Sequence, residues 1–251
     1  MAEQAALIDL PQPGTVDWGT VPASRLHDMA AAGTEVVECH RVLAKTGGNI
    51  VGELLRGVDT FYEWDHYPVG DVYDHESHAQ FYYHAHPQDL RGHEHGHFHT
   101  FMRPRGMPDG IRPAPVADLA LPEDGNGALS HLVGISMDDY GVPIRLFTTN
   151  RWVTGEVWYA GDDVRAMLDG FRIDHAQPSW PVNRWIGGMV RLFRPQIETL
   201  IEARDAAVAA WRAAWPGRNV LEDRALEITS VVAIDVDDQN ARVAAALESH
   251  A

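Results

Sequence analysis

The sequence predicts an α+β fold, an antiparallel sheet carrying a cluster of histidines and flanked by N-terminal and C-terminal helices. Three observations predict it. Helix-periodic apolar residues occupy the beginning and the last third of the chain, strand-like runs fill the middle, and histidines recur in that middle at a spacing of two.

The elements follow in order. Residues 1–21 read as an extended lead-in, with Pro11, Pro13 and Pro22 as punctuation. A helix fits 23–46: Ser24 caps it, Leu26, Met29, Ala30, Val36, Val37 and Leu43 form its apolar face, and Gly47-Gly48 stop it. Asn49 to Arg56 adds a shorter helix. The aromatic run Phe61-Tyr62-Glu63-Trp64 reads as a strand over Thr60–Tyr67, with a turn at Pro68 and Gly70. Two further strands are expected at Ala79–His86 and His95–Met102, joined by the polar loop Pro87–Glu94. The stretch 103–128 is rich in Pro and Gly and reads as a surface loop. His131–Met137, a turn at Asp138-Asp139-Tyr140-Gly141, and Val142–Thr149 form the clearest hairpin. Ala160–Phe171 reads as a helix capped by Asp162 or Asp163. An amphipathic stretch from Asn183 to Trp215 is kinked or divided at Pro195 and ended by Pro216-Gly217. Leu226–Ile234 is the last strand, before a short helix to Leu247. No repeat or break in composition marks a boundary, so residues 1–251 are expected to form one domain.

Composition narrows the function. Apolar residues make up 45% and charged residues 22%, ordinary globular usage, and the formal net charge is −16. That field repels phosphate backbones and anionic lipid, so neither nucleic acid nor a membrane is an expected partner. Cys39 is the only cysteine, which rules out an intrachain disulfide and any Cys-built zinc or iron–sulfur site. The start lacks the basic-then-apolar pattern of a secretion signal, and no apolar run approaches the ~20 residues that span a bilayer. The expected compartment is the cytoplasm.

The histidines carry the chemistry. Of the 14, eight lie between His75 and His99. His93, His95, His97 and His99 are two apart, as are His84 and His86, and on a strand such positions share one face. A hairpin closed between the two runs sets His84 near His97, His86 near His95 and Tyr82 near His99, converging several imidazoles on one patch. His84, His86, His95, His97 and His99 are therefore the candidate metal ligands. Imidazole on a strand presents rigid, neutral nitrogens of the kind that carbonic anhydrases and cupins use, although the full cupin motif is absent. All-nitrogen ligation suits iron or zinc first, nickel or copper next. Tyr82 shares the patch and is a candidate proton donor or ligand. Arg145, on the hairpin, is a candidate anchor for a carboxylate or phosphate, and His131 is an additional ligand if its strand borders the patch. Glu94 has the wrong parity for the histidine face. Trp64, Tyr82, Phe98, Trp152 and Trp158 are expected to wall an apolar pocket, and His27, His40, His66 and His250 have no expected role.

Two short motifs compete. His93-Glu94-His95-Gly96-His97 satisfies H-E-x-x-H, but Gly92 and Gly96 weaken the helix that zinc-protease chemistry needs. His95-Gly-His97-Phe-His99-Thr-Phe is similar to the strand of histidine-triad nucleotide-binding proteins. That resemblance implies His97 as a nucleophile toward an α-phosphate, although Gly96 and Thr100 depart from the pattern. From His78 to Phe101, and from His131-Leu-Val-Gly-Ile to Arg145-Leu-Phe-Thr-Thr-Asn-Arg-Trp, the chain also resembles a family of uncharacterised bacterial proteins. This second resemblance covers roughly two-thirds of the length and implies no activity or cofactor. The reading that best fits the residues is an enzyme with a mononuclear His-ligated metal acting on a small organic molecule. The metal would serve as a Lewis acid, a source of hydroxide or, as iron, a seat for O₂. The alternatives are a non-catalytic metal- or haem-binding protein and a histidine-triad-like nucleotide hydrolase or transferase.

Overall fold

In the computed structural model, residues 9–87, 93–116 and 121–250 are described. Residues 88–92 of the expected loop Pro87–Glu94 and 117–120 of the stretch 103–128 therefore lie outside the described residues, as does the start of the lead-in. Six strands form one antiparallel sheet in sequence order, a meander: β1 (Tyr67–Tyr73), β2 (Ala79–His84), β3 (Glu94–Met102), β4 (Ser130–Asp138), β5 (Pro143–Thr149) and β6 (Ile228–Ala233). Seven α-helices are present among the described residues, so the α+β class holds. They are α1 (Ala23–Ala44), α2 (Ile50–Leu54), α3 (Arg151–Thr154), α4 (Gly161–Met167), α5 (Trp180–Leu192), α6 (Arg194–Ala214) and α7 (Val236–Ser249).

Alternation along the strands gives the sheet two unlike faces. One face carries Phe81, Tyr83, Phe98, Ile135 and Leu146, all buried in the main core. Trp185 of α5 closes on it, its ring 5.4 Å from that of Phe98. Helix α1 packs on α5 and α7, and α6 lies along β5 and β6. A smaller cluster of Trp158, Val208, Trp211 and Leu221 seals the far end of α6. The other face carries Tyr82, His84, His97, His99, Phe101, His131 and Phe147, as their ring contacts with one another show.

Several local expectations are corrected. Helix α1 starts after Pro22, which makes no side-chain cap, and Ser24 lies inside the first turn. Asn49 does cap α2, its side chain accepting from the Gly52 amide at 2.8 Å. The run Phe61–Trp64 is not a strand. The chain pairs instead over Tyr67–Tyr73, through the Pro68 and Gly70 expected to turn it. Because β1 is an edge strand, it tolerates a proline, and its register shifts between Tyr67 and Val72, where Gly70 and Asp71 take positive φ. Helix α4 is followed by a 3-10 turn at Leu168–Gly170; Asp162 and Asp163 sit in its first turn, while the cap position is Ala160. The long amphipathic stretch divides at Phe193, where Pro195 opens α6 at a position that needs no amide donor.

A candidate metal centre on the histidine face

The site grows from the register of β2 on β3. His84 lies opposite His97 and Tyr82 opposite His99, the pairing that the spacing predicts. Side chains on one face of such a ladder come within ~5 Å of each other. His84, His97 and His99 accordingly present ring nitrogens that all lie within 4.8 Å of one another. Nitrogens around a tetrahedral ion at 2.0–2.1 Å stand about 3.3 Å apart, so small ring adjustments would close the set.

The second nitrogen of each buried ring is held. Nδ1 of His97 meets Glu94 Oε1 at 2.7 Å, and both residues are buried. An ionised carboxylate only accepts, so this bond protonates Nδ1 and leaves Nε2 a lone pair. That Nε2 faces Nε2 of His84 at 2.7 Å, an approach of two ring nitrogens that must share a proton or a cation. Nδ1 of His99 lies 3.0 Å from His131 Nε2, while its own Nε2 is buried without a hydrogen-bond partner among the described residues. An orphaned imidazole nitrogen is costly in a protein interior and is what a metal ligand looks like before the metal. Burial holds the His99 pKa well below the ordinary histidine value, helped by the neighbouring His97 and His131, so its ring is neutral and ready to ligate at neutral pH.

The expected ligands do not all reach the same place. His86 lies just past the end of β2, half-buried, with its ring stacked 5.1 Å from His97 and edge-on to Trp64. It forms the rim. His95 is turned away: Tyr83, on the helix-covered face, meets its Nδ1 at 2.6 Å, and Phe61 lies beside it. The cause is a bulge in β3 between Glu94 and Gly96. One extra residue reverses parity, sending His95 to the far face and bringing Glu94 onto the histidine face. Gly96 permits this, because a Cβ there would run into the Tyr83 phenol and the His84 carbonyl. The expectation that Glu94 lies off the histidine face is thereby overturned. The H-E-x-x-H reading loses its basis too, since Glu94–Met102 is strand rather than helix.

Around this centre, Phe147 lies 5.1 Å from the His97 ring and 5.7 Å from that of His99. It sits where any side chain on Gly134 would clash. Tyr82 is buried between the parallel rings of His66, at 3.6 Å, and Phe101, at 5.5 Å. Burial raises its phenol, keeping it protonated. Arg145 lies across from Ser136, which pairs with His97, and its Nη2 is 3.6 Å from Glu94 Oε2. Its side chain is 39% exposed, so it forms an open edge of the site. Of the aromatic wall expected, Trp64 and Tyr82 are in place. Phe98 points into the core, Trp158 packs with Trp211, and Trp152 lies under Arg224, donating to the Leu226 carbonyl.

Behind the ligands lies a second buried layer that sequence reasoning placed only in part. His131 does border the patch, through His99. Burial lowers its pKa to about 3, so it is neutral, and its amide donates to Glu156 Oε2 at 2.6 Å. Burial raises the Glu156 carboxyl to about 8 despite Arg204 and Arg151 nearby, so it is protonated at neutral pH. His66, given no role from sequence, stacks on Tyr82 and lies 5.8 Å from the His84 ring.

Residues 30–234 match the family described as a domain of unknown function (DUF6969), and the chain belongs to that family. No curated protein and no solved structure matches the chain. No helix among the described residues is long and apolar enough to cross a membrane.

Proposed function

We propose that this member of the DUF6969 family is a metal-dependent enzyme whose single metal is held by Nε2 of His84, His97 and His99 and whose substrate is a small organic molecule. The observation that carries the reading is the buried, unpartnered Nε2 of His99, one member of a three-imidazole set. Iron or zinc is the first expectation for all-nitrogen ligation, with nickel or copper next. Bound there, such an ion would supply Lewis acidity or a bound hydroxide for a lyase or hydrolase or, as iron, a seat for O₂ in an oxygenase.

The chain's own residues do the rest. Glu94 fixes the tautomer and ring angle of His97, and His131 does the same for His99, the outer support that histidine ligands usually require. Phe147 and Phe101 keep that side of the centre dry, which strengthens every charge interaction within it. Half-buried His84 and His86 mark the side from which substrate enters. Arg145, tied loosely to Glu94, is free to swing onto an anionic substrate group. Tyr82, protonated, is a proton donor on the same face.

A histidine-triad mechanism fits less well. His97 Nε2, the atom that would attack a phosphate, is directed at His84 Nε2 rather than into open space. Elemental analysis of protein purified without a His-tag or nickel column tests the reading. The wild type should carry close to one equivalent of a transition metal, and His97→Ala almost none. Many loosely held equivalents, stripped by brief mild chelation, would point to metal storage. A metal-free protein that cleaves a nucleoside phosphoramidate would establish the triad chemistry instead.

A further inference from the structure

A cleft of about 740 Å³ opens on the histidine face at its β1 edge. Gln80, Tyr82 and His84 alternate along β2 toward that face, so the cleft and the metal centre share it and are separated by the Tyr82–His66 stack. Its polar wall is a row of hydrogen bonds. Arg103 Nε donates to Gln80 Oε1 at 2.6 Å, Gln80 Nε2 donates to Asp71 Oδ2 at 2.6 Å, and Asp71 Oδ1 meets His66 Nδ1 at 3.1 Å.

The groups in this row differ in what they have left to offer. Both oxygens of Asp71 are engaged, and Asp124 spends Oδ1 on the Asn126 amide. Arg103 is fixed by Gln80, by its Nη1 bond to the Asn126 carbonyl at 3.1 Å and by the Tyr73 ring beneath it at 5.3 Å. Yet no carboxylate lies within ion-pair distance of it among the described residues, and its Nη2 makes no hydrogen bond there. A permanently charged, preorganised guanidinium without an anion is unusual in a chain of net charge −16. Its natural complement is a carboxylate or phosphate. Charge decides between the two. Asp65, Asp71 and Asp124 line the same cleft and would repel a dianion more than a monoanion, while accepting hydrogen bonds from hydroxyl groups.

We infer that the cleft binds a small hydroxycarboxylate, its carboxylate on Arg103 and its hydroxyls toward the aspartates. This binding does not depend on the metal-enzyme reading, since the Tyr82–His66 stack separates the cleft from the metal centre. Calorimetric titration of the full chain with gluconate, glycerate and lactate tests it, with glucitol as the uncharged match to gluconate and inorganic phosphate as the dianion. At least one acid should bind saturably and gluconate more tightly than glucitol. Arg103→Gln should weaken the best acid about ten- to a hundredfold, the value of a charge-assisted hydrogen bond, and Arg103→Lys, which keeps the charge but loses the fork, should fall between. His97→Ala should leave this binding within about twofold while losing the metal, which separates the two readings. Circular dichroism identifies any variant that fails to fold, in which case Arg103→Lys carries the comparison. Failure of all three acids to bind, phosphate binding more tightly than any of them, or an acid affinity indifferent to both Arg103 variants would overturn the assignment.

Discussion

The two faces of the sheet are made by alternate residues of the same strands and do opposite work. On the helix-covered face, Phe81, Tyr83, Phe98 and Ile135 meet Trp185 in a dry core. That is what burial is expected to look like, since apolar area removed from water is the main driving force of folding. On the other face the same strands bury His97, His99 and His131, with Glu156 from the loop after α3 buried behind them, groups that lose hydration and gain only a few hydrogen bonds. One face stabilises the fold, and the other draws on that stability to hold polar groups in fixed positions.

Paired substitutions sharpen this contrast most. Phe98→Ala should destabilise the protein by about 3–5 kcal/mol in denaturant titration, through the lost contacts and the cavity left behind. The fraction that remains folded should keep its metal. His99→Leu should do the reverse, losing metal altogether while the metal-free protein stays within about 1 kcal/mol of the metal-free wild type. Equal destabilisation by both would mean that the histidine face is ordinary core.

A smaller effect is expected one shell out. Glu94→Ala should weaken metal binding about 10–100-fold in a competitive chelator titration, because His97 loses the partner that fixes its tautomer. If the bulge has a purely structural role, affinity will not change. Smaller again is a pH effect in the metal-free protein. The Glu156 carboxyl is raised from its ordinary value to about 8, so the folded state holds a proton that the unfolded state releases. This contribution is fully present below about pH 4.5 and fades as pH rises toward about 8. Glu156→Gln should flatten that part of the stability–pH curve, measured by thermal unfolding in a buffer series; an unchanged slope would place the proton elsewhere.

Much of this was legible in the sequence, and the failures have physical causes. Period-two histidines with interleaved aromatics were enough to place β2, β3 and the His84–His97 pairing, because on a half-buried strand parity dictates the face. Parity fails where a strand bulges, and the bulge beside Gly96 exchanged His95 for Glu94. The glycine was a visible signal: isolated in a strand pattern, it often marks such a site. Pro68 and Gly70 misled in the other direction, since turn residues are also tolerated on an edge strand. His66 was invisible because its place depends on how residues 59–66 cross the sheet edge, which no local pattern encodes. Membership of the family agrees with the resemblance noted across the middle of the chain.

The central claim is that three imidazoles on one sheet face hold the metal, and X-ray absorption of the zinc-loaded protein tests it most directly. The account predicts a first shell at about 2.0–2.1 Å with the multiple-scattering signature of about three imidazoles. His97→Ala should hold almost no zinc in such a shell, and His95→Ala should leave the shell intact. A shell containing at most one imidazole in the wild type, or one that loses an imidazole only in His95→Ala, would contradict it.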